Sequence, residues 1–258
     1  MKWKVQCYLA AILVFNSGAL HADHSTSLDR LTYVTEEYPP YNYTFDNELT
    51  GIAVDLLLRA SEISGDVIPL SGISVLPWSE GYRAALVGDD TVVFSTTRTK
   101  LREHLFQWVG PISKTRIVVL AHRESGISIN SVQDLMNHSI GVIRDDVGEQ
   151  LLLELGVPRE SMQERSGAQA LARSLKKKRI DLWAYEENVA RWWFDKSGYN
   201  QKDFEVVYLL KESELYYAFN KNIDLVLINK LQRALNIIKE NVDQNGLTEY
   251  QTIINKYR

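Results

Sequence analysis

The stretch ALVGDDTVVFSTTRTKLRE, residues 85–103, decides the fold. Its first residues close an amphipathic helical pattern, WSEGYRAALVG (78–88), and its centre, TVVFS (91–95), is β-branched and aromatic and reads as a strand. Three hydroxyl residues, Ser95 to Thr97, then lead to arginines at 98 and 102. One interpretation is a strand end running into the polar first turn of a helix. The other is a binding site, because an arginine fork matches a carboxylate in bidentate fashion and a hydroxyl both donates and accepts.

Working outward, the same alternation recurs on both sides. Upstream, LTYVT (31–35) reads as a strand, residues 36–51 as a loop, and VDLLLRASEIS (54–64) as a helix ending at Gly65. Downstream come strand 116–122, a helix near 131–137 whose Ser131 and Asp134 have capping-box spacing, strand 139–143 and helix 147–156. Helix 169–179, strand 181–185, helix 187–197 stopped by Gly198, and strands 204–210 and 215–220 follow. A long helix over 224–241 and a short one after Gly246 close the chain. Strands alternating with helices predict an α/β protein with mainly parallel sheets.

Composition narrows the function. The 258 residues are 45% hydrophobic and 24% charged, as in globular proteins, and the net charge of -4 offers no broad basic surface for nucleic acid. The N-terminus combines Lys2 and Lys4, an apolar run from Val5 to Phe15, and small residues ending at Ala19 and Ala22. That pattern predicts a secretory signal over 1–22, with cleavage after Ala22 or Ala19. Loss of Lys2 and Lys4 would take the charge from -4 to -6, and the only cysteine, Cys7, lies within the signal. A cysteine-free exported chain fits a Gram-negative periplasm.

The five histidines, at 21, 24, 104, 122 and 138, show no metal-ligand spacing, so no metal is expected. There is no G-x-S-x-G, G-x-x-x-x-G-K or G-x-G-x-x-G, so no cofactor is expected either. The run Lys176 to Arg179 reads as a solvated helix end, and Trp192 and Trp193 as packing residues.

Six pieces now stand in one order: EEYPPYNY, LTGIAVDLLLRASEISG, the 85–103 stretch, FQWVGPI, DLWAYEENVA and ALNIIKENVDQNGLTEYQTIINKY. As an ordered set they resemble extracellular solute-binding protein family 3, the periplasmic receptors for polar amino acids. The resemblance implies a type II periplasmic binding protein fold, α/β in class. Two mixed sheets flanked by helices are then joined by two crossing hinge strands. Lobe 1 would take 28–115 plus 213–258, and lobe 2 would take 116–212.

The same resemblance implies ligand contacts. Ser95 and Thr97 would hold a ligand's ammonium and carboxylate, Arg102 would clamp the carboxylate, and Tyr38 would stack on the ligand, with Tyr41, Tyr43 and Trp78 as further candidate walls. Glu186 falls where relatives pair an acid with the ligand's amino group; its other interpretation is a carboxylate favoured at a helix N-terminus. The tyrosines beside Pro39-Pro40 could equally pack the loop down.

Departures are informative. Arg144-Asp145-Asp146-Val147-Gly148 replaces a loop that in the family usually offers glycine and small hydroxyls to a carboxylate, Ala53 replaces an acid, and Thr91 stands where Asp is common.

The implied function is capture of a small polar ligand, an amino acid in first place and cationic or zwitterionic, for an ABC-type importer or a sensor, by a monomer. The alternative is a cyclohexadienyl dehydratase-like enzyme on this fold, with Glu186 or Glu36 as the acid.

Overall fold

A computed structural model gives the structure of residues 27–257. The expected signal over 1–22, together with Cys7, His21 and His24, lies outside the described residues.

Among the described residues, ten strands are interspersed with eight α-helices. The first part contains β1 (Thr32–Thr35), β2 (Tyr43–Phe45), β3 (Glu48–Thr50), α1 (Ile52–Ser64), β4 (Ile73–Val75), α2 (Trp78–Val87) and β5 (Thr91–Thr97). The long β6 (Phe106–His122) then leads into α3 (Val132–Leu135), β7 (Ile140–Ile143), α4 (Val147–Glu154) and β8 (Met162–Arg165). After α5 (Ala168–Lys176), β9 (Leu182–Glu186) and α6 (Glu187–Lys196), β10 (Phe204–Asn220) returns to the first part, which α7 (Leu225–Glu240) and α8 (Glu249–Asn255) complete.

Eight strands form one ladder in the order β4-β1-β5-β10-β6-β9-β7-β8. β1 pairs in parallel with β4 and β5, and β7 in parallel with β8 and β9, whereas β10 is antiparallel to β5 and β6, and β6 to β9. The sheet is therefore mixed rather than mainly parallel.

β6 and β10 cause the mixing. Each has 17 residues, about 56 Å of extended chain. β10 pairs with β5 through Leu215 to Phe219, and β6 pairs with β9 through Ile117 to Ala121. The two long strands thus run from one half of the molecule into the other, and the two expected sheets are continuous through them.

Several strands differ from the sequence expectation. The segments 204–210 and 215–220 are one strand, because Lys211 to Glu214 stay paired with Lys114 to Ile117. The loop 36–51 contains the β2–β3 hairpin, which turns at Asp46 and Asn47 with φ of 50° and 66°. Asp and Asn tolerate that left-handed region better than most residues. β4 and β8 are short edge strands in which Ile73 alone is buried, so they carry no apolar alternation.

α1 and α7 bury Leu56, Leu57, Leu231 and Leu235 against the first half of the sheet. A separate cluster, including Val119, Ile140, Val142, Leu152 and Leu182, fills one face of the second half. Each such leucine contributes about 1.5–3 kcal/mol on burial. This packing holds the strand ends that carry the site.

Candidate ligand-binding site

The carboxyl ends of β1, β5, β7 and β9 face one another between the halves, the usual place for a ligand in an open α/β sheet. The β5 end is shaped by Ser95. It has φ of 58° and no partner in the β10 register, so it forms a bulge whose Oγ donates to Asn42 Oδ1. Asn42 is fully buried and in turn donates to the Glu36 carbonyl at 2.6 Å. Tyr38 and Asn42 close the intervening turn through backbone hydrogen bonds of 2.7 and 3.2 Å. The β5 bulge thereby fixes the loop bearing Glu36 and Tyr38.

Arg102 is 1% exposed and lies over the rings of Trp78 and Tyr82, 5.1 and 4.9 Å from their centroids. Its Nη1 donates to the Thr97 carbonyl at 3.3 Å, its Nε to Gln150 Oε1 at 2.9 Å, and its Nη2 to the Asp145 carbonyl at 3.1 Å. Trp78 Nε1 donates to the same Asp145 carbonyl at 2.8 Å. Two side chains of the first half therefore grip backbone and side chain of the second. Asp145 presents that carbonyl from a left-handed conformation, φ 61°, while its own carboxylate is exposed.

Asp146 is buried and N-caps α4, accepting from Gly148 N–H at 3.4 Å. Burial pushes its carboxyl up, and the Arg102 charge and the α4 backbone N–H groups pull it back. The Glu36 carboxyl makes no hydrogen bond or ion pair to any described residue, and burial, reinforced by Asp146 and opposed by Arg102, pushes it well above the usual carboxylate range. Glu36, Trp78 and Trp193 line a groove of about 380 Å³ between the halves.

Glu186 is fully buried and N-caps α6 through Val189 N–H at 2.8 Å. Its other oxygen accepts from Thr115 Oγ1 at 3.2 Å, Asn188 Nδ2 at 3.2 Å and the Tyr41 hydroxyl at 3.4 Å. Burial raises its pKa to about 7 against the pull of these hydrogen bonds. The helix N-terminal carboxylate is thus realised in the structure.

Tyr38 is buried, edge-on to Tyr185 with centroids 5.7 Å apart. The hydroxyl of Tyr185 and Oγ1 of Thr35, both on residues 1% exposed, have no hydrogen-bond partner among the described residues. Burial, with Glu36, Asp146 and Glu186 nearby, keeps the Tyr185 phenol protonated.

The structure brings Tyr38, Trp78, Arg102 and the β5 hydroxyl residues to one interface between the halves. Glu186 is joined to it through Tyr41. Tyr43 lies elsewhere, packed on Trp192 and Tyr257 beside a second groove of about 900 Å³. Asn42, Gln150 and Tyr185 went unrecognised in the sequence. Gln150 had a weak signal, being a polar residue one turn after Asp146 in the helix VGEQLLLE. Among the described residues no cluster of His, Cys, Asp and Glu could hold a metal ion, and no helix is long and apolar enough to cross a membrane.

Residues 31–257 match the bacterial extracellular solute-binding proteins, family 3, and the chain belongs to that family. No curated protein sequence matches it. Among solved structures, a histidine kinase sensor domain with similarity to periplasmic binding proteins aligns with a TM-score of 0.75 at 19% identity, covering 89% of this chain and 96% of that one. An ancestral arginine-binding protein bound to arginine aligns at 0.71 and 20% identity, covering 88% and 97%. The arginine-, lysine-, histidine-binding protein ArtJ from Geobacillus stearothermophilus gives 0.72 and 18%, covering 88% and 95%. These likenesses establish the fold as that of the type II amino-acid-binding proteins.

Proposed function

We propose that the protein is a periplasmic receptor that captures a small polar solute between its two lobes and presents it to a membrane importer or sensor. One observation carries this: Trp78 and Arg102 reach across to Asp145 while the buried hydroxyls of Thr35 and Tyr185 stay unpartnered between the lobes. Buried polar groups almost always find partners, so two orphans in a cleft point to a ligand that supplies them. Amino acids are the first class to consider, since the structural neighbours include proteins named for arginine, lysine and histidine.

Binding is favoured over dehydration of a carboxylate substrate. Glu186, one of the two acids such chemistry would use, already accepts four hydrogen bonds from its own chain. The test is mass spectrometry of small molecules released when the purified protein is denatured. A polar solute in near-stoichiometric amount is expected; turnover of prephenate or arogenate to an aromatic product would instead favour the enzyme.

A further inference from the structure

Of the two features of the cleft that could hold a carboxylate, one is taken by the protein itself and the other is engaged in part. The α4 N-terminus, with its free N–H groups and the positive end of its dipole, is occupied by the protein's own Asp146. Nε, Nη1 and Nη2 of Arg102 each give one N–H to a neutral protein oxygen, of Gln150, Thr97 and Asp145 respectively, which spends three of the guanidinium's five donors. Acceptors, in contrast, are unspent. Glu36 faces the groove without a donor, and the Tyr185 hydroxyl, buried and unpartnered, lies within electrostatic reach of Glu36 and Asp146. Glu186 is saturated and does not count. A bound cation would favour the ionised forms of Glu36 and Asp146, whose carboxyls burial otherwise raises, and two carboxylates against one guanidinium would then leave a single negative charge beside the rings of Tyr38 and Trp78, which also favour a cation.

We propose that the group recognised is an organic cation, an amine or guanidinium, held by Glu36, Asp146 and the hydroxyls of Tyr185 and Thr35, with no solute carboxylate required. Asp146 takes the place of that carboxylate, and Arg102 acts as a latch between the lobes. The inference rests on the receptor reading and names the class of solute.

Calorimetry on the purified protein with matched pairs tests it: agmatine against arginine, and putrescine against ornithine, each pair differing by one carboxylate. The amine should bind at least as tightly as its amino acid. Glu36→Gln should weaken agmatine tenfold or more, and so should Asp146→Asn, which preserves the helix cap because Asn caps as well as Asp. Arginine binding ten times more tightly than agmatine would overturn the proposal, as would unchanged agmatine affinity in both variants. In either case, or if only glutamine or another uncharged solute bound, the receptor reading would stand. Failure of every solute to bind would sink both.

Discussion

The indole N–H of Trp78 and the backbone carbonyl of Asp145, 67 residues apart in sequence, meet at 2.8 Å across the cleft. Arg102 Nη2 reaches the same oxygen at 3.1 Å. Side chains of one half therefore act on the backbone of the other.

Arg102→Lys keeps the charge and loses the planar fork, so the bonds to Gln150 and Asp145 cannot both persist. A latch acts on every solute alike. The variant should weaken agmatine and arginine by a similar factor, about tenfold for ~1.4 kcal/mol of lost closure. A loss confined to arginine would show that Arg102 holds a carboxylate.

Tyr185→Phe should act in opposite directions on stability and binding. The hydroxyl has no hydrogen-bond partner among the described residues, and removing an unpaired buried hydroxyl relieves a desolvation penalty of about 1–3 kcal/mol. Denaturant titration without solute should show equal or greater stability, whereas solute affinity should fall. A destabilised variant with unchanged affinity would remove Tyr185 from the site.

Gly51→Ala should destabilise the fold and disturb binding together. Gly51 has φ of 128°, and an added Cβ would lie 2.3 Å from the Tyr41 carbonyl oxygen and 2.7 Å from the Asn42 nitrogen. Backbone strain of this kind costs about 1–3 kcal/mol. The displaced segment carries Tyr41 and Asn42, which connect to Glu186 and to the Ser95 bulge. Equal stability with intact binding would mean that the loop is not fixed there.

Solute-free stability should fall as pH rises through neutrality. Glu186 has a folded pKa of about 7 against an ordinary 4.5, and Asp146 and Glu36 shift in the same direction. Carboxyls with raised folded pKa contribute fully below the unfolded value and progressively lose that contribution as pH approaches the folded one. For Glu186 the window is pH 4.5 to 7, with a slope of at most about 1.4 kcal/mol per pH unit. Thermal melts across that window should decline, and Glu186→Gln should flatten the decline. A rising curve would mean that these carboxyls remain ionised in the fold.

Much of the scaffold was legible because it obeys local rules. The α1 pattern ends at Gly65, whose φ of 79° only glycine adopts freely, and the Ser131–Asp134 capping box appears as spaced. The middle of β10 was not legible, since Lys211 to Glu214 cross between the lobes with no core on either face to demand apolar residues. For the candidate site, the resemblance pointed to Tyr38, Trp78, Ser95, Thr97, Arg102 and Glu186. Their partners lie far away in sequence: Gln150 is 48 residues from Arg102, and Tyr41 is 145 from Glu186. Such contacts follow from how β6 and β10 set the two halves face to face, which no local pattern records.

Small-angle scattering of the purified protein, alone and with saturating agmatine, putrescine, arginine, lysine, histidine, glutamine or glutamate, tests lobe closure around a solute most directly. At least one basic solute should reduce the radius of gyration, with glutamate leaving it unchanged. Identical profiles under every condition would contradict capture between closing lobes.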